Sequence, residues 1–126
     1  MSWYDLIDKN GIAVIPEDTA EIPEKVYSHN ALLKRAALPK AIRVIGRSAF
    51  DSCGNLESAD LPDGLEDVGD YAFRLCHRLH IPRIPDSVKS IGHSAFLYCY
   101  NIEEIRTGNP EIVKGTGATN AKIVKC

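Results

Sequence analysis

Three blocks of 23 residues follow one another without a gap: LPKAIRVIGRSAFDSCGNLESAD, LPDGLEDVGDYAFRLCHRLHIPR and IPDSVKSIGHSAFLYCYNIEEIR, starting at Leu38, Leu61 and Ile84. One further period back, IPEDTAEIPEKVYSHNALLKRAA starts at Ile15 in the same register. A period of 23 is far longer than a helical or strand repeat. Each block must be one supersecondary unit that buries its apolar side chains against its neighbours.

The matching slots carry physical meanings. Ile15, Leu38, Leu61 and Ile84 are each followed by a proline, which ends or edges a strand. Ile22, Ile45, Val68 and Ile91 form a second apolar slot, followed by Pro23, Gly46, Gly69 and Gly92, where a bend is expected. Small Val26, Ala49, Ala72 and Ala95 precede large Tyr27, Phe50, Phe73 and Phe96. Leu33, Leu56, Leu79 and Ile102 complete the set. Leu56–Pro62, Leu79–Ile84 and Ile102–Thr107 read as short strands that stack in register as a parallel sheet.

The ends read as caps. Ser2 is placed to N-cap a short helix over SWYDLIDKN, with Trp3, Leu6 and Ile7 on one face. EIVKGTGATNAKIVKC reads as strand, turn and strand, a β-hairpin lid. The expected division is an N-terminal cap at 1–14, repeats at 15–37, 38–60, 61–83 and 84–106, and a C-terminal cap at 107–126.

The segments LESADLP, VIGRSAFDSC, VGDYAFRLC and SIGHSAFLYC make the blocks resemble BspA-like (treponemal-type) leucine-rich repeats. The first block departs from that pattern at Pro23, Val26 and Asn30, as a terminal repeat does. The resemblance implies an α/β solenoid: a short right-handed coil of about four repeats with a parallel sheet. It also implies a bacterial, non-enzymatic protein-binding scaffold that uses the exposed face of that sheet.

The stretch CHRLH gathers Cys76, His77 and His80 within five residues. Cys76 shares its slot with Cys53 and Cys99, three residues after each phenylalanine, and reads as a small buried rung. His77 and His80 fall in variable polar slots and point elsewhere. A structural metal needs convergent ligands, so a Cys/His metal protein is the weakest alternative and no cofactor is expected. GTGATN lacks the phosphate-loop pattern and reads as a turn. Four cysteines with no natural pairing suit a reducing compartment.

The formal net charge of −2 gives no basic field for nucleic acid or an anionic membrane. No apolar run approaches a membrane span. The opening MSWYDLIDKNGIAVIP has no secretory pattern, which points to the cytoplasm, or to the cell surface for a fragment of a larger protein.

The outward sheet positions are Arg35, Ser58, Ile81 and Glu104 in one column and Ala37, Asp60, Arg83 and Arg106 in the other. Stacked Asp60 and Arg83 are placed to pair. The binding face is therefore assigned to Arg35, Ser58, Asp60, Ile81, Arg83, Glu104 and Arg106, with a protein or peptide as the partner. The alternatives are an adhesin-like repeat fragment of a bacterial surface protein, or a module that self-associates through the ends of the solenoid.

Overall fold

A computed structural model of the chain describes residues 2–81, 83–118 and 120–126. It is a parallel-sheet solenoid with little helix. Among the described residues the helical elements are two short 3-10 turns, η1 (Trp3–Leu6) and η2 (Pro110–Val113). The described residues also form nine short strands: β1 (Ile12–Val14), β2 (Glu21–Ile22), β3 (Arg35–Ala37), β4 (Val44–Ile45), β5 (Ser58–Ala59), β6 (Asp67–Val68), β7 (Ser90–Ile91), β8 (Glu104–Thr107) and β9 (Lys122–Lys125).

The expected parallel sheet forms in two parts, one rung longer at each end, and the strand expected over Leu79–Ile84 is reduced to isolated bridges. β1, β3 and β5 pair in parallel, with Ile12 opposite Arg35 and Arg35 opposite Ser58. The ladder then narrows to single bridges, Ser58 to His80 and Arg83 to Arg106, before β8 and β9 resume it. A second parallel sheet, β2-β4-β6-β7, runs unbroken along the slot of Ile22, Ile45, Val68 and Ile91.

The turns form a third column of bonds between coils. The N–H groups of Tyr27, Phe50 and Phe73 donate to the carbonyls of Ala49, Ala72 and Ala95, at 2.8–2.9 Å. Residues on either side of each aromatic sit in the left-handed region: Lys25 and His29, Ser48 and Ser52, Tyr71 and Leu75, Ser94 and Tyr98. Alternate N–H groups thereby turn toward the next coil, as Ser48 to Asp70 and Ser52 to Arg74, while those between bond within their own turn. Left-handed backbone is costly for residues with a Cβ, and the saturated bonding of buried amides offsets it.

Inside, Tyr27, Phe50, Phe73 and Phe96 stack with centroids 5.2–5.9 Å apart. Ile42, Leu65 and Val88 supply another buried column. Gly46 and Gly69 are needed for close approach. A Cβ on Gly46 would lie 2.7 Å from the Glu24 nitrogen, and one on Gly69 2.6 Å from that of Arg47.

The N-terminal segment closes its end as one 3-10 turn in place of a longer helix. Ser2 Oγ accepts from the Tyr4 N–H, and Asp5 accepts from the Ser2 N–H. Trp3 and Tyr4 rest against Tyr27, whose hydroxyl donates to the Trp3 carbonyl at 2.9 Å. Gly11, at φ +79°, turns the chain so that Ile7 bridges Ala13 in antiparallel fashion along β1.

The C-terminal segment is not the expected hairpin. Pro110 starts η2, and Gly115 and Gly117 take positive φ. The chain then returns as β9, parallel to β8 with Glu104 opposite Lys122. It is another coil, shortened, in which the Thr116 carbonyl receives the Phe96 N–H.

Asn30 occupies the cysteine slot of the first block. Its Oδ1 accepts from the N–H groups of Leu32 and Leu33, whereas in the later turns the carbonyls of Cys53, Cys76 and Cys99 receive the equivalent N–H groups of Leu56, Leu79 and Ile102.

Candidate functional site

The first sheet forms the candidate face. Alternation sends Ala36, Ala59 and Ile105 into the core and exposes Arg35, Ala37, Asp60, Glu104 and Arg106, with Ser58 half-buried. Arg83 is also exposed.

Ile81 corrects the sequence reading. It is only 1% exposed and packs in the core instead of facing outward. His80, not Ile81, stands opposite Ser58. The residue that period 23 assigns to the inward slot here is Pro82, which lies outside the described residues. Proline has no N–H for a ladder, and the isoleucine beside it takes up the core position.

A second correction concerns ion pairs. Arg83 Nη1 meets Asp63 Oδ1 at 3.3 Å, not Asp60, and Arg106 Nε meets Glu104 Oε2 at 3.2 Å. All four side chains are at least 43% exposed, so each pair contributes about 0–1 kcal/mol.

The face extends beyond the sequence assignment at both ends. Ile12 and Val14 precede Arg35 and Ala37 by one period, and Val14 is 59% exposed. That step was readable by continuing the register backward. Lys122 and Val124 extend the face at the other end. No period marks them, because the last coil is short. Val14, Arg35, Ala37, Leu38 and Asp60 line a shallow open hollow of about 280 Å³.

The three repeated cysteines are rungs. The Sγ atoms of Cys53, Cys76 and Cys99 donate to the carbonyls of Tyr27, Phe50 and Phe73 at 2.9–3.0 Å. Burial pushes the Cys53 and Cys99 thiols up to about 12 and raises that of Cys76 as well. Such thiols are not activated nucleophiles. His77 is exposed and stacks on Tyr100 at 5.6 Å, while His80 Nε2 lies 2.8 Å from Asn101 Nδ2. Among the described residues no three His, Cys, Asp or Glu side chains converge on a metal position, and no helix is long and apolar enough to cross a membrane.

A clasp between two coils escaped the sequence reading. Arg74 Nη2 and Nε donate to the two oxygens of buried Asp51 at 2.7 and 3.1 Å. The same guanidinium lies 4.6 Å from the centre of the Tyr71 ring. Asp51 and Arg74 are one period apart in equivalent slots, which was the available signal.

Comparison with known proteins agrees with this architecture. A family model described as BspA type leucine rich repeat region matches residues 12–116, in six copies. A leucine-rich repeat protein from Bacteroides ovatus ATCC 8483 superposes with a TM-score of 0.80 at 29% identity, covering 86% of this chain and 28% of that one. The T. pallidum leucine rich repeat protein superposes with a TM-score of 0.68 at 26% identity, covering 94% of this chain and 70% of that one. The chain thus spans little more than a quarter of the Bacteroides protein. No curated protein matches its sequence.

Proposed function

Since the chain belongs to the BspA type leucine-rich-repeat family, we propose that it is a non-enzymatic interaction module that binds a protein or peptide across its first sheet. This repeat fold is commonly a protein-interaction scaffold. The observation that carries the reading is the contrast along each strand. Inward positions repeat as small or aliphatic side chains, whereas outward positions change from rung to rung: Ile12, Arg35, Ser58, His80, Glu104, Lys122. A fixed backbone bearing variable side chains suits recognition. Six rungs spaced about 4.8 Å apart span about 24 Å, enough for a peptide or a loop of a partner.

The test is a crosslinking pulldown from source-cell lysate with the wild-type protein and an Arg35→Ala, Asp60→Ala, Arg83→Ala, Arg106→Ala variant. A partner captured by the first and lost by the second supports the face. A partner retained equally by both removes the face from the reading. Cytoplasmic residence belongs to the same proposal and is supported by the three buried, unpaired thiols. Recovery of the protein from the cell surface on fractionation would favour the adhesin-like alternative.

A further inference from the structure

The two outer edges of the first sheet differ. β1 is covered by the antiparallel bridge from Ile7 to Ala13 and by the Asp8 N–H bonded to the Ile12 carbonyl. β9 pairs with β8 on one side, and among the described residues no strand lies on the other. The N–H groups of Lys122 and Cys126 donate inward, to Glu103 and Thr107. In an extended strand the alternate N–H groups, those of Ile123 and Lys125, then point outward along the open edge.

Charge states what this edge would accept. At several places neighbouring coils set opposite charges against each other, although Arg83 stands opposite Arg106. Arg43, Glu66 and Lys89 form a plus–minus–plus row with contacts of 3.9 and 3.1 Å. Asp51 meets Arg74, and Glu104 stands opposite Lys122. The next rung after β9 would face exposed Lys122 and Lys125, flanking half-buried Ile123 and Val124.

We propose that the outer edge of β9 is a strand-addition site for an extended acidic segment of a partner protein, with carboxylates opposite Lys122 and Lys125. Main-chain bonds supply the attachment and the two lysines select the charge. This site shares Lys122 with the sheet face but uses the open backbone edge of β9, and the face variant at Arg35, Asp60, Arg83 and Arg106 alters neither lysine, so either proposal can fail alone. Edge lysines also guard strands against indiscriminate pairing, and the experiment separates the two roles.

The probe is a fluorescein-labelled ten-residue peptide with Glu-Val-Thr-Glu at its centre, followed by anisotropy at low salt. Its controls are the Lys-Val-Thr-Lys peptide and a version of the acidic peptide N-methylated on its core amides. Binding of the acidic peptide should fall at least tenfold on N-methylation and at least tenfold on charge reversal. A Lys122→Glu, Lys125→Glu protein should reverse the preference. Equal binding of the N-methylated peptide would overturn strand addition. An absence of binding would overturn the proposal whatever sedimentation showed. A monomer would then leave the lysines as guards, and an oligomer dissociated by the double variant would make a second copy the occupant.

Discussion

The turn column and the first sheet are built from the same four blocks, yet one is regular throughout and the other breaks. In the turns, Tyr27, Phe50, Phe73 and Phe96 repeat their stacking and the first three repeat their hydrogen bonds. In the sheet, the third block offers only single bridges at His80 and Arg83. The second sheet passes the same block without interruption. Two unbroken columns therefore hold the register while the third tolerates a local fault. The face best able to vary in sequence is the one whose backbone bonds the fold needs least.

The comparison predicts unequal costs. Phe73→Ala empties the centre of the ring stack and should destabilise by about 3–5 kcal/mol in urea unfolding. A near-normal midpoint would show that the turn column is not what holds the coil. Ile81→Ala should cost about 2–5 kcal/mol because the side chain is in the core. A change within about 0.5 kcal/mol, as expected for an outward residue on the face, would restore the regular register.

Gly69→Ala should cost about 1–3 kcal/mol by forcing a methyl group against the preceding coil. Gly54→Ala, where a Cβ meets nothing within 4 Å, should stay within about 0.5 kcal/mol. Equal effects would mean the coils can separate freely at the glycine slot.

The last prediction is a slope, the pH response of one thiol. In the unfolded chain a cysteine ionises near its ordinary value of about 8.5, whereas burial holds Cys53 and Cys99 up to about 12 and raises Cys76. The folded pKa is above the unfolded one, so stability is fully present below about pH 8.5 and declines above it, as the unfolded state loses protons first. Each buried thiol contributes a slope of about 1.4 kcal/mol per pH unit in that window. Cys76→Ala should reduce the alkaline slope by that amount in unfolding curves taken between pH 8 and 10. An unchanged slope would show that the thiol column ionises in the folded state.

The sequence by itself determined the period, the inward columns and the inert cysteines. A repeated apolar slot must find its own copy one block away, whatever the details of the coil. It also marked Arg35, Asp60, Arg83 and Arg106 as exposed, through simple alternation about the small fourth position. Only the tertiary structure decided the rest. The second sheet has strands of two residues, too short to announce themselves as a pattern. The left-handed turn residues include lysine, tyrosine and leucine, types with no intrinsic preference for that region, held there by bonds to the next coil. Ile81 faces the core although period 23 places it outward, because the backbone pairs Ser58 with His80 instead. The last segment returns in parallel because β8 presents a waiting edge of backbone donors and acceptors, and a shortened loop with glycines at 115 and 117 reaches it. Local patterns specify which side chains are buried; partners distant in the chain specify which backbone conformations bury them.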